Sequence, residues 1–268
     1  MTTTFDSSTF KIALTGEAVS FGMFAMLDSS LSSALLARSG YDFLIIDVQH
    51  SPFDLRRIES VIGSCGGTSC SPLARVQPER PDQIGWLLDM GVHGVVVPLV
   101  NSEEDARRAV DACRYPPRGR RSIGAVRNSM YRGDAYLDVA DDDVACVVQI
   151  EHVDALDNLD SILDVEGIDA VMPGHIDLAR SMGYSLRYGP SAGIPDEVTS
   201  AIKVINDAAR KRSIPVVPVP GSLAEIETAI SDGHRIICCS TDFHTFQAAI
   251  DQRLDECRRL AGLPAASP

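Results

Sequence analysis

The chain has 268 residues, with 24 Lys+Arg against 37 Asp+Glu and a net charge of −13 with histidine neutral. That surplus of acid excludes a nucleic-acid binder, which needs basic surface for phosphates, and it excludes adhesion to an anionic membrane. The 45% apolar and 23% charged content is that of a globular protein, and no apolar run nears the roughly 20 residues of a membrane span. Short apolar runs alternate with segments of helical period. In chain order, strands are predicted at 21–26, 43–47, 72–76, 94–98, 145–150, 169–172, 215–219 and 236–240. Helices are predicted between and after them, at 30–39, 55–64, 81–90, 102–114, 153–163, 196–211, 223–232 and 245–260. Several strands are continuous apolar runs, FLII and GVVVPLV among them, as in a parallel sheet covered on both faces. Helix, glycine turn and strand recur in LLDMGVHGVVVP, LDVEGIDAVMP and AISDGHRIICC.

Eight such units predict an α/β fold, a (β/α)8 barrel, as one domain over 1–268, with 1–18 a lead-in and 262–268 a loose tail. A doubly wound open sheet is the alternative, but no G-x-G-x-x-G follows a strand. The N-terminus lacks a basic segment followed by an apolar one, and seven scattered cysteines fit reduced thiols, so a cytoplasmic protein is expected. Two stretches break the rhythm, 115–131 and 184–195. Long loops in a compact domain are usually functional or interface segments.

A barrel builds its site from the C-terminal ends of its strands. Those ends carry Asp47 and His50, then Arg75, then Gln149 and Glu151, then Gly174-His175-Ile176-Asp177. Glu151 and Asp177 are two hard oxygen donors that suit Mg²⁺ or Mn²⁺, or else they are helix caps. Arg75, ending an apolar strand, needs an anionic ligand or a buried salt bridge with Glu151 or Asp47. His50 is a candidate general base, with Asp47 or Asp89 to orient it. The run 174–177 opens a helix whose free N–H groups can hold a carboxylate. Metal, helix start and Arg75 together describe a site for a small 2-oxo acid.

In their order and spacing, YDFLIIDVQHSP, LARVQ, LLDMGVHGVVVPLV, RYPPRGRRSIG, VVQIEHVDALDNLDSIL and PGHIDLARSMG make the chain resemble the HpcH/HpaI aldolases. These are metal-dependent class II pyruvate aldolases related to the citrate lyase β subunit, and the resemblance covers about residues 21–246. It implies that His50 is the proton acceptor and that Asp89 raises its basicity. It implies that Arg75 stabilises the transition state and that Glu151 and Asp177 hold Mg²⁺ or Mn²⁺, with Co²⁺ a further candidate. Gln149, Gly174, Ile176 and Asp177 would bind a 2-oxo acid, the partner substrate being an aldehyde. A barrel that exchanges its C-terminal helix between subunits to build a homohexamer, a trimer of dimers, is implied as well.

The chain's three lysines, Lys11, Lys203 and Lys211, fall at no predicted strand end, which argues against Schiff-base chemistry. Three positions depart from the family pattern: Gln49 replaces an acid, His175 a proline, and His93 a common glutamine. They bear on the substrate more than on the fold. Alternatives on the same metal-enolate site are oxaloacetate decarboxylation and a Claisen-type citrate synthesis. A non-catalytic barrel that binds a 2-oxo acid is the third reading. The arginines of the 115–131 loop, Arg118, Arg120, Arg121 and Arg127, are candidates for a distal carboxylate of the substrate or for an intersubunit face.

Overall fold

The structure, a computed structural model, describes residues 9–78, 80–124, 126–133, 135–185 and 193–265. The expected lead-in before residue 9, the tail from 266 and the 186–192 part of the second irregular stretch lie outside them. The strands are β1 (Ser20–Ala25), β2 (Phe43–Asp47), β3 (Ser71–Arg75), β4 (Gly94–Val97), β5 (Ala145–Ile150), β6 (Ala170–Pro173) and β7 (Ile236–Thr241). The helices are α1 (Thr9–Thr15), α2 (Ser30–Arg38), α3 (Leu55–Ser64), α4 (Pro81–Met90), α5 (Glu103–Cys113), α6 (Val126–Arg132) and α7 (Tyr136–Asp143), followed by α8 (Val153–Asp157), α9 (Leu159–Leu163), α10 (His175–Ser181), α11 (Asp196–Lys211), α12 (Leu223–Ser231) and α13 (Asp242–Leu260). All strand pairs are parallel, in the order β6-β5-β4-β3-β2-β1-β7.

Among the described residues seven strands form where eight were expected. The segment 215–219 makes one bridge, Val216 to Val171 of β6. Its sequence explains this. Pro215, Pro218 and Pro220 have no N–H, so a regular ladder cannot form. It still bonds on both sides. Val217 N donates to Val171 O at 2.8 Å and Val171 N to Pro215 O at 2.9 Å, while Cys238 N of β7 donates to Pro218 O at 3.0 Å.

Helix starts follow local capping chemistry. The side chains of Ser29, Asp54, Ser102, Ser222 and Thr241 each accept the N–H three residues on, opening α2, α3, α5, α12 and α13. The expected 153–163 helix is two short ones broken at Asn158, whose amide donates to Asn101 O and Asp154 O. The expected 115–131 loop ends in α6, and α7 follows it. This acid-rich helix is held by burial of Tyr136 and Ala140 against Tyr115 rather than by its own periodicity. In the lead-in, α1 packs Phe10 against Phe43, pairs Lys11 with Asp169, and so lies across the N-terminal ends of the strands.

Strand side chains alternate in direction. Outward residues such as Ile46, Ala74, Val95, Val148 and Val171 pack on the helices. Inward residues such as Phe24, Ile45, Leu73, Val96, Val147 and Met172 form a second core inside the curl. Continuing the inward rows to the strands' C-terminal ends reaches Asp47, Arg75, Gln149 and Ser240. The same two-residue period that fills the core therefore delivers a polar layer at one end.

Gly22 is also on an inward row, opposite Phe43. A Cβ there would sit 2.1 Å from the Phe43 ring, which is fully buried and edge-on to Phe10. Gly22→Ala is expected to destabilise the fold by about 2–3 kcal/mol, read as a lower chemical-denaturation midpoint with little change in slope.

Candidate active site

A cavity of about 560 Å³ opens at the polar end, lined among others by His50, Arg75, Gln149, Gly174, His175 and Asp177. Asp47 organises one side of it. It is 0% exposed and accepts Arg75 Nε at 3.0 Å and Nη2 at 2.8 Å. Of the two salt bridges considered for Arg75, the one to Asp47 forms. The guanidinium also lies 4.7 Å over the Phe24 ring. Asp47 thus fixes two edges of the guanidinium, and Nη1 makes no hydrogen bond among the described residues. Asp47 Oδ1 further accepts the N–H groups of Gln49 and His50, at 3.2 and 3.3 Å, which shapes the turn carrying the exposed His50.

Glu151 is buried just past β5. Its Oε1 accepts Leu99 N at 2.9 Å, and Leu99 takes a left-handed φ of 52°. That backbone turn on a branched residue is a local cost borne to aim one N–H. Burial pushes the Glu151 carboxyl up to about 7, with the Asp177 charge adding to the rise and Arg75 and the Leu99 N–H opposing it. A buried carboxylate, Glu151, and an exposed one, Asp177, that feel each other's charge form a donor set for a hard divalent cation. Gly174 leaves the room for it, since a Cβ there would lie 2.5 Å from Glu151 Oε2. Beside them Gln149 Oε1 is buried without a partner among the described residues, an acceptor available to a cation or a ligand hydroxyl, and Arg75 Nη1 is the donor left for an oxyanion. Residues and space therefore fit a divalent metal and a small oxyanion.

The other expected residues are placed as follows. Gly174 spends its own N–H on Ile150 O, so the donors left for a carboxylate are the N–H groups of the first turn of α10, which has no side-chain cap. His175 lines the cavity, and burial holds its imidazole below the usual histidine range, opposed by Glu225 and Asp177. His93 lies at the other end of the sheet. It bonds Ser71 Oγ and is pushed down to about 4 by burial, then by Arg132. Asp89, near the C-terminus of α4, is also at that other end, ion-paired with buried Arg121 at 2.7 Å, and the structure does not bring it to His50.

The arginine cluster is self-satisfied. Arg118 pairs with Asp142, Arg120 with Asp111, Arg121 with Asp89 and Arg127 with Glu59. It lies with α6 and α7 at the N-terminal end of the strands, so it supplies no carboxylate-binding cation to this chain's own cavity. Four polar lining residues escaped sequence reasoning: Glu225, Ser240, Thr241 and His244. Ser240 was legible as the next inward position after Ile236 and Cys238. Glu225 was legible only from the Ser222-x-x-Glu225 pattern at the start of α12, where its N–H donates to Ser222 Oγ and its carboxylate accepts Gly221 N, one residue before the N-cap, at 2.6 Å.

Comparisons with known proteins show the family and the fold. A profile of the family described as HpcH/HpaI aldolase/citrate lyase matches residues 20–249. The hydroxypyruvate/pyruvate aldolase of Rhizorhabdus wittichii is 33% identical over 234 residues, 87% of this chain and 92% of that protein. The 4-hydroxy-2-oxo-heptane-1,7-dioate aldolase of Escherichia coli is 38% identical over 181 residues, 66% of this chain and 69% of that one. The crystal structure of an HpcH/HpaI aldolase/citrate lyase family protein from Burkholderia cenocepacia superposes with a TM-score of 0.85 at 28% identity, covering 94% of this chain and 100% of that one.

Proposed function

Since the chain belongs to the HpcH/HpaI aldolase/citrate lyase family, we propose that it is a carbon–carbon lyase, a class II aldolase that reversibly cleaves a 4-hydroxy-2-oxo acid to pyruvate and an aldehyde. The observation that carries this reading is the placement of Asp177 and an Asp47-clamped Arg75 on one cavity, with Glu151 buried directly behind its Gly174 wall. All three lysines stand elsewhere: Lys11 pairs with Asp169, and Lys203 and Lys211 are exposed on α11. That placement supports the metal-dependent route over a Schiff base.

Members of the family generally depend on a divalent metal, and here Glu151 and Asp177 would hold Mg²⁺ or Mn²⁺. Bound there, the cation supplies Lewis acidity toward the 2-oxo acid. The chain's own groups do the rest. Gln149 and the N–H groups about Ile176 hold the substrate carboxylate. His50 takes the C4 hydroxyl proton, the C3–C4 pair collapses onto C3, and the aldehyde leaves. Arg75 meets the negative charge that develops on the enolate oxygen, and its clamp by Asp47 means no reorganisation is needed at that moment. Protonation at C3 then gives pyruvate.

The test is incubation with pyruvate, Mg²⁺ and an aldehyde, with products read by mass spectrometry. A 4-hydroxy-2-oxo acid is expected, and EDTA should abolish it. Undiminished activity in EDTA would exclude the metal assignment. Thiol release from acetyl-CoA with oxaloacetate would favour citrate synthesis instead.

The hydrogen bonds of 215–219 to both β6 and β7 support closure of the sheet into an eight-membered barrel, one domain over 1–268. Exchange of α13 between copies, building a hexamer, is supported by its face. This 19-residue helix buries only Asp242 and exposes Phe243, Phe246, Ile250 and Leu254 at helical spacing. In such an assembly Asp89 would serve His50 of a neighbouring copy, because within one chain the strands separate them. Phe246→Glu with Ile250→Glu is expected to lower the sedimentation coefficient to that of smaller species. We place the enzyme in the cytoplasm, in keeping with seven free cysteines.

A further inference from the structure

The cavity is larger than a three-carbon 2-oxo acid needs, and its two sides differ in chemistry. One side carries His50, Arg75 and Gln149, from the ends of β2, β3 and β5. The opposite arc follows β6, the 215–219 segment and β7, and it contributes His175, Glu225, Ser240, Thr241 and His244. Two imidazoles, two hydroxyls and a carboxylate make this arc a set of hydrogen-bond donors and acceptors with a negative charge among them. The Glu225 carboxylate is exposed and held at the rim by Gly221 N. Among the described lining residues the only Lys or Arg is Arg75, and Asp47 holds it on the far side.

We propose that this arc is the acceptor end of the site and that it selects a neutral, hydroxyl-bearing aldehyde over one ending in a carboxylate. The inference rests on the aldolase reading and sharpens it. Hydroxyls of the acceptor bond to His175, Ser240 and Glu225, whereas a distal carboxylate meets the like charge of Glu225 at the rim and finds no cation there among the described residues. In the condensation the 2-oxo acid loses a methyl proton, its C3 bonds the aldehyde carbonyl carbon, and the carbonyl oxygen takes up a proton. The arc takes no part in these transfers. Its residues position the acceptor.

The experiment offers the Mg²⁺-loaded enzyme pyruvate with glyceraldehyde or with succinic semialdehyde, alone and in equimolar mixture, and measures kcat/KM for each adduct. Glyceraldehyde is expected to be preferred by about tenfold or more. Glu225→Lys, at an exposed position, should reverse or erase that ratio. Ser240→Ala should raise KM for glyceraldehyde about tenfold while leaving KM for pyruvate within twofold. A wild-type preference for succinic semialdehyde, or a ratio indifferent to Glu225→Lys, would overturn the inference and leave the aldolase reading standing. No adduct with either aldehyde would overturn both.

Discussion

Arg75→Ala is expected to cut carbon–carbon cleavage by about 10³-fold and to destabilise the fold by about 3–5 kcal/mol. The two effects have different origins. Turnover falls because the guanidinium that meets the enolate charge is gone. Stability falls because Asp47, at 0% exposure, loses the two bonds at 3.0 and 2.8 Å that compensate its burial. The backbone bonds from Gln49 and His50 remain but do not replace a counter-charge. Asp47→Asn combined with Arg75→Met separates the effects. The double variant should recover most of the lost stability in urea titrations and remain inactive. Arg75→Lys should also be poor, since a single ammonium cannot span both Asp47 oxygens and still face the cavity. Lyase activity that survives Arg75→Ala undiminished would show that the site is assigned to the wrong residue.

The second large effect is on pH and metal. Glu151 is pushed from its ordinary 4.5 to about 7 in the metal-free fold, chiefly by burial. Between those values the folded protein holds a proton that the unfolded chain has released. Stability therefore falls as pH rises from about 4.5 to 7, by about 3 kcal/mol in total, and is level above that. A divalent cation at Glu151 and Asp177 compensates the charge, so Mg²⁺ should raise Tm more at pH 8 than at pH 5.5. Glu151→Gln should flatten the pH slope, remove the Mg²⁺ shift and reduce turnover to background. A Mg²⁺ shift that persists in Glu151→Gln would place the cation elsewhere.

Much of the catalytic layer was legible in the sequence because strand side chains alternate. In FLIID the inward row reads Phe43, Ile45, Asp47, and in ACVVQI it reads Ala145, Val147, Gln149. Apolar residues turn polar at the C-terminal end of each, and the site follows from reading one more step. The helix ranges were equally legible from their period, and the caps by Ser29, Asp54 and Ser102, each an interaction over three residues, account for where those helices start. Leu99 was not. Nothing in PLVNS announces a left-handed leucine, and its purpose appears only when Glu151, 52 residues away, is beside it. The arginines of 115–131 looked like a cationic patch. Three-dimensional pairing with Asp142, Asp111, Asp89 and Glu59 turns them into fasteners of the opposite end.

The sequence by itself determined the βα rhythm, the parallel sheet, the polar ends of β2, β3 and β5, and the exclusion of nucleic acid by a −13 charge. Those features depend on period, capping and composition, which act over a few residues or over the whole chain. Only the tertiary structure decided that Asp47 rather than Glu151 takes Arg75, that 215–219 bridges two strands without becoming one, and that His93 and Asp89 face away from the site while His175 and Glu225 face into it. Each of those is a choice among partners distant in sequence. Burial, charge and the directions of strands settle it only once the sheet has curled.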